Sequence, residues 1–403
     1  MARFLVGVGQ SHHSDSFTAG REAAEEALSG FSVRPDAILV FAAMRFDHRK
    51  LLDGIRSVSG ETVMAGGTTA GEISGKGFST GSVVIMAFQS DALDFQAGVG
   101  RCMSREEYAC SVSMLDDLRR KRSYERALSL LVFPDGMGGD ENRSLAGIHS
   151  VLGTDFEIAG GCLADDERFE RTFQYCNGNV YSDSITGLMV FSAGGFSTGI
   201  GMGSGFESIG NSFQCTSAEG RVVREFDGIS ALKLYKDFLG PERSSRLPGI
   251  CLEYPFGIIE DTAAGCGEPF FRLRCGLSVD HEKGSITLAA SIPEGSVLTL
   301  TSASRGDIIR GAQKAALQAK QSLGDAEPLA AIMFSCVGRK LVLGNRIKDE
   351  VAAVRSCIGE DVPLAGFYTY GEIGPFDKTR KDLAASRFHN ETVVLWVLGK
   401  TAD

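Results

Sequence analysis

The sequence predicts an α/β (mixed α+β) chain of two domains, built from repeated strand-helix-strand-strand units with helices packed on mixed sheets. Three observations carry this. A strand–loop–helix–strand pattern recurs three times along 403 residues, enough for two or three domains each with its own core. Each copy ends its short second strand in Ala-Gly: Ala65-Gly66, Ala159-Gly160 and Ala365-Gly366. Seven residues after each alanine stands an acid, Glu72, Asp166 or Glu372. A unit of this length favours parallel pairing with a right-handed crossover, and places the following loop at the carboxyl edge of the sheet, where ligands bind in open α/β folds.

The elements follow in order. Small polar residues Ser14-Asp15-Ser16 precede FTAGREAAEEALSG, a helix stopped by Gly30. The run AILVFAA (37–43), after Pro35-Asp36, is a buried strand. Residues 104–120 carry a capping box, Ser104 with Glu107, and helical spacing of Tyr108, Val112 and Leu115. In FSTGIGMGSGFESIG (196–210), glycines 199, 201, 203 and 205 alternate, which does not fit a dinucleotide fingerprint. Alternation predicts a strand with one bare face, open to another backbone or a ligand. GISALKLYKDFLG (228–240) reads as a helix with Leu232, Tyr235 and Leu239 on one side. PERSSRLPG (241–249) is the most linker-like stretch, so the domain boundary is expected close before or within it. Hairpin material follows around HEKGS and PEGS, and the helix DIIRGAQKAALQAKQSL leads into the third repeat.

Composition excludes some functions. Hydrophobic residues at 43% and charged ones at 23% are ordinary for a globular protein. A net charge of −10 with interleaved signs argues against nucleic acid or an anionic membrane as partner. The longest apolar runs, such as TVVLWVL, fall far short of the ~20 residues that cross a bilayer. MARFLVGVGQSHHSDSF lacks a secretory pattern, so a cytoplasmic chain without membrane insertion is expected. Ten cysteines without CxxC spacing read as buried thiols, and no HxxxH, HExxH or CxxCH supports a metal site. No G-x-S-x-G elbow is present either, and a non-enzymatic protein is expected.

Spread along the chain, AGREAAEEAL with PDAILVF, AGGTTAGEI, GSGFESIG…CTSAEGRVVREFDGISALKLY, YPFGI, FFRLR, GSITLAASIPEGS, PLAGFYTYGEIGP and FHNETVVL resemble the FIST family in order and spacing. The resemblance implies an N-terminal domain over 1–227 and a C-terminal domain over 228–403. It implies a bacterial sensory input module that binds small ligands such as amino acids. Some members are haem proteins that sense nitric oxide and act on a histidine kinase or a cyclic-di-GMP enzyme. This chain departs from many relatives at Phe206, where a tryptophan is common, and carries no kinase, cyclase or methyl-accepting region, so output requires a partner in trans.

Candidate ligand contacts follow from the repeated corners: Gly66, Gly71 and Glu72 in MAGGTTAGEI, and Gly366, Tyr368, Tyr370, Gly371 and Glu372 in PLAGFYTYGEI. A carboxylate there holds an ammonium or guanidinium, or it caps backbone amides in a tight loop. The tyrosines wall a pocket or pack as a strand edge. His389-Asn390 matches the family's His-Asn pattern and binds a ligand carboxylate, or satisfies loop backbone. No cofactor is expected in the leading reading, a small-ligand sensor. In the alternative, His389 ligates haem b. A third reading is an interaction scaffold without ligand.

Overall fold

The computed structural model of the chain describes residues 3–121, 126–260, 270–378, 380–381 and 383–401. In the first repeat β1 (Phe4–Ser11) leads to α1 (Ser16–Ala27), whose first turn is capped by the Asp15 carboxylate, and then to β2 (Ala37–Ala42). Capped by Asp47, α2 (His48–Ser59) returns the chain to β3 (Val63–Thr68). A small hairpin follows, β4 (Glu72–Ser74) with β5 (Gly77–Ser79), and β6 (Val83–Ser90) closes the unit. The second repeat has the same order: β7 (Leu93–Arg101), α3 (Glu107–Lys121), β8 (Ala127–Pro134), α4 (Glu141–Leu152), β9 (Ile158–Gly161), the hairpin β10 (Gln174–Cys176) and β11 (Asn179–Tyr181), and β12 (Ser184–Ser192). The expected capping box of α3 is not formed. Ser104 donates instead to Asp183, and Tyr108 lies exposed while Cys110, Met114 and Leu118 form the buried face.

The third repeat opens with β13 (Phe196–Gly203) and is then interrupted. The chain leaves to build a second sheet domain from β14 (Glu207–Glu219), β15 (Val222–Phe226), β16 (Ile229–Ser230), β17 (Phe256–Glu260), β18 (Phe270–Arg274), β19 (Gly276–Asp280), β20 (Ser285–Leu288) and β21 (Val297–Ser302), with α5 (Ala231–Ser244) packed on it. Leu232, Tyr235 and Leu239 are the buried side of α5, as their spacing predicts. PERSSRLPG is not a free linker, because its first residues continue α5 beyond a kink at Gly240 (φ 74). The division at 227/228 falls inside this inserted sheet, in the turn joining β15 to β16. The repeat then resumes with α6 (Arg305–Leu323), β22 (Glu327–Cys336), α7 (Val337–Leu343), α8 (Ile347–Ile358), β23 (Leu364–Thr369), the arm β24 (Glu372–Gly374) with β25 (Arg387–His389), and β26 (Val393–Lys400).

Each repeat forms one four-stranded sheet in the same order, β1-β6-β2-β3, β7-β12-β8-β9 and β13-β26-β22-β23. Its two-stranded arm does not stay with it. The arm of repeat one extends sheet three (Ile73 opposite Gly366), that of repeat two extends sheet one (Tyr175 opposite Gly66), and that of repeat three extends sheet two (Ile373 opposite Gly160). The exchange closes a ring of threefold pseudo-symmetry. Phe41, Phe133 and Phe334 occupy equivalent points of β2, β8 and β22 and meet in the shared core, with ring centroids 5.9 and 6.2 Å apart for successive pairs.

The bare glycine face of β13 is covered by backbone. A methyl at Gly201 would lie 2.0 Å from the Ala315 carbonyl oxygen of α6, and one at Gly203 2.1 Å from that of Gly311. This helix is seated too closely for any side chain between them. Equivalent pairs, Gly7 and Gly9 under α1 and Gly98 and Gly100 under α3, repeat the contact.

Candidate functional site

The acidic corners come first. Glu372 is wholly buried, accepting from the hydroxyl of Thr369, the Thr392 amide (3.2 Å) and the Thr392 hydroxyl (2.8 Å). Glu72 has the same set one repeat away: the Thr69 hydroxyl, the Ser82 amide (3.0 Å) and the Ser82 hydroxyl (2.6 Å). Burial pushes these carboxyls up, to about 8 and about 7 respectively. Both carboxylates pin an exchanged arm to the strand that follows it. The third pin is Gln174, bonded to Thr172 and Ser184, and not Asp166. A longer loop (162–173) delays the arm in repeat two, so equal sequence offset is not structural equivalence; Asp166 accepts from the Met44 amide (2.9 Å) instead.

The glycines of these corners are packing positions. A methyl at Gly66 or Gly366 would lie 2.1 or 2.0 Å from the carbonyl of Val40 or Met333, and Gly71 and Gly371 abut the rings of Phe78 and Phe388. Tyr368 is buried, its hydroxyl bonded to Glu350 (2.6 Å), which is in turn paired with the buried Arg339 (2.6 Å). Phe367 packs in the core.

His389 is buried with its Nε2 on the Gly374 carbonyl (2.9 Å) and its ring edge-on to Phe376 (4.8 Å). Burial drops its pKa to about 3, so the imidazole is neutral. It lines neither of the two cavities lined by Phe206 and by Glu391, and its Nε2 is already committed while Nδ1 has no partner among the described residues. A haem iron has no approach to this ring, and the residues around it do not fit that group. Among the described residues no three His, Cys, Asp or Glu side chains converge on a metal position. Nine cysteines are free thiols, and Cys266 lies outside the described residues.

One cavity does gather unsatisfied polar groups. It has a volume of ≈ 250 Å³ and lies where repeats two and three meet the inserted domain. Deep in it sit Asn390 and Glu391, flanked by Cys275 and Cys336, and all four are buried. Among the described residues, neither side-chain end of Asn390 nor either carboxyl oxygen of Glu391 has a hydrogen-bond partner. Beside them Glu141, the first residue of α4, pairs with Arg221 (3.4 Å), which also donates to the Gly139 carbonyl. Burial pushes Glu141 up to about 7 and Glu391 up to about 8, the latter aided by the charge of Glu372. Burial likewise pushes the Cys275 and Cys336 thiols well above their ordinary range. Arg274 lies buried behind Cys275, its Nε and Nη2 without partners.

The pseudo-symmetry explains why Glu391 is orphaned. Gly81, Asp183 and Glu391 each precede the last strand of their repeat, and all have left-handed backbone (φ 64, 52 and 55). Asp183 spends its carboxylate on the amide (2.6 Å) and hydroxyl (3.0 Å) of Ser104, in the loop between β7 and α3. In repeat three that loop is where the inserted domain departs. Its departure takes away the donors and opens the cavity in the same stroke.

Of the ten residues expected from the sequence, Tyr370 and Asn390 line this cavity, and Gly66, Gly71, Glu72, Gly366, Tyr368, Gly371, Glu372 and His389 do not. Tyr370 stacks on Phe169 (4.5 Å, 8°) and donates to Asp165. Glu391, Glu141, Arg221, Cys275 and Cys336 escaped the sequence reading. For Glu391 a signal existed in the aligned strand entrances GSVV, DSIT and ETVV, where glycine, aspartate and glutamate occupy one position.

A FIST N domain profile matches residues 36–229 and a FIST C domain profile matches 231–375. The chain belongs to the FIST family, whose domains are a sensory module of signal transduction. It is 23% identical over 251 residues to an uncharacterised protein of Mycobacterium tuberculosis, covering 61% of this chain and 63% of that one. It is 22% identical over 222 residues to an uncharacterised protein of Mycobacterium bovis, covering 54% and 55%. The chain thus spans less than two thirds of these relatives. Among solved structures, a chorismatase aligns with TM-score 0.38 and 7% identity over 99% and 98% of the chains. A cyanuric acid hydrolase from A. caulinodans aligns with TM-score 0.39 and 9% identity over 99% and 100%. Both scores are too low to carry a functional conclusion.

Proposed function

We propose that this protein is a non-enzymatic, cytoplasmic sensor of a small molecule, signalling through a separate partner such as a histidine kinase or a cyclic-di-GMP enzyme. The ligand sits in the cavity floored by Asn390 and Glu391, with Tyr370 in its wall. One observation carries the reading: four buried polar atoms on two adjacent residues line one cavity and have no partner among the described residues. Leaving such groups unmade costs about 1–3 kcal/mol each, and a ligand that bonds them recovers that loss. Against catalysis stand the two cavity thiols, both held protonated, which makes them poor nucleophiles.

A thermal-shift panel of amino acids, amines and other small metabolites tests this, with Glu391→Gln and Asn390→Ala beside the wild type. A ligand at 100 times its Kd adds ~2.7 kcal/mol of stability. The expected outcome is a rise in Tm with at least one compound that the two variants reduce. No rise with any compound returns the protein to a scaffold role, and a rise unaffected by both substitutions moves the ligand elsewhere.

A further inference from the structure

Four of the large hydrophobic side chains that the protein leaves exposed belong to this one cavity: Met137 (38% exposed), Phe169 (49%), Leu277 (44%) and Leu341 (47%). They come from four separate places, the loops after β8 and β9, strand β19 and helix α7. Local sequence patterning does not bring them together; the fold does. Scattered apolar residues on a surface need no explanation, but a ring of them around one opening marks a place where apolar surface is to be covered.

The depths of the cavity have the opposite character. Arg221 is matched by Glu141, whereas among the described residues no cation pairs with Glu391. Arg339, the nearest guanidinium with a bond to this residue, donates only to the Glu391 backbone carbonyl (3.5 Å). Its side chain is otherwise committed to Glu350, Ser204 and Ile308. The groups awaiting a partner are therefore a carboxyl, which takes donors once ionised, and an amide, which takes both donors and acceptors.

Resting on the ligand-site reading above, we propose that the ligand is amphipathic, a donor-rich cationic head held by Glu391 and Asn390 on an aliphatic or aromatic body that lies against Phe169, Leu277 and Leu341. A wholly polar ligand would satisfy the floor and leave the apolar rim in water. A flat protein surface would cover the rim, yet it would not reach side chains that are at most 1% exposed. An anion of the same shape would be repelled by the ionised carboxyl of Glu391, and among the described residues no uncommitted cation lines the cavity.

Titration calorimetry of the full chain with n-alkylamines of two, four, six and eight carbons tests this, with hexanoate, ethanolamine and glycine as controls. The affinity should rise roughly fourfold per added methylene up to the length the rim accommodates. Glu391→Gln should weaken hexylamine binding tenfold or more. Leu341→Ser, a change at a side chain 47% exposed, should flatten the dependence on chain length. Hexanoate binding as tightly as hexylamine overturns the proposal, as does a flat alkylamine series beside Glu391-dependent binding of glycine or ethanolamine. The latter result leaves the ligand site standing and removes only its apolar half. If neither these probes nor the metabolite panel bind, the ligand-site reading itself fails.

Discussion

Glu372 and Glu391 are both buried and both carry carboxyls pushed up to about 8, yet their surroundings are opposite. Three donors surround Glu372 and none reach the carboxyl of Glu391. Glu372→Ala should therefore destabilise the protein by about 2–4 kcal/mol, because Thr369 and Thr392 lose a buried partner. A fall in Tm of less than a degree would show that the corner is not a structural pin. Glu391 makes a different prediction, on binding. Burial and the nearby charge of Glu372 raise its pKa, while Arg339 draws it the other way. Cys275 and Cys336, which also face it, stay protonated. A cationic ligand needs the carboxylate, so its binding should strengthen as pH rises from 6 to about 8. Affinity for hexylamine that is flat over that range would remove Glu391 as the counter-ion. From sequence, Glu72 and Glu372 stood out because each stands seven residues after an Ala-Gly alanine, beside a glycine; the threonine three residues before each, Thr69 or Thr369, is part of what satisfies it structurally. Their burial was not legible, since it depends on arms donated by other repeats.

At the scale of elements, the glycine-bearing strands and the helices above them were readable as strand and helix. Alternation at 199, 201 and 203 predicted one bare face, and α6 lies on it at a distance that excludes a Cβ. Gly201→Val should destabilise by at least about 3 kcal/mol, because the obstruction is backbone and cannot turn aside. Retention of wild-type Tm would mean that α6 is not seated on β13. Three repeats were also visible, but the exchange of arms was not. The arm sequences are three residues per strand and carry no pattern that names the sheet they join. Asp166 was misaligned for the same reason: sequence offset counts residues, and the longer loop in repeat two shifts the arm.

The whole molecule is a ring of three repeats broken at one place by an inserted domain, and beside that break the side chains of Asn390 and Glu391 have no partners among the described residues. Neither the ring nor the cavity follows from local pattern, because both depend on contacts between residues far apart in the chain. A global consequence concerns pH. Glu72, Glu141, Glu372 and Glu391 have folded pKa values of about 7, 7, 8 and 8, against an ordinary 4.5. Between those limits the folded chain keeps protons that the unfolded chain has released, so stability falls as pH rises. His48 and His389 are depressed to about 4 and 3, so they weaken the fold only as pH drops below their ordinary 6.5. From about pH 7.5 to 8 the carboxyls dominate, and Tm should decline over that interval in calorimetric scans. A Tm that rises there would mean these carboxyls are ionised in the fold.

The most direct test of the account is the Tm of Glu391→Gly. Repeat one already has glycine at the equivalent position, Gly81, and the backbone at Glu391 is left-handed (φ 55). If Glu391 is kept for a ligand, removing its orphaned carboxyl and its backbone strain should leave Tm unchanged or raise it by about 1–3 °C. A fall of several degrees, of the kind expected for Glu372→Ala, would make Glu391 a structural residue and contradict the assignment of this cavity as the ligand site.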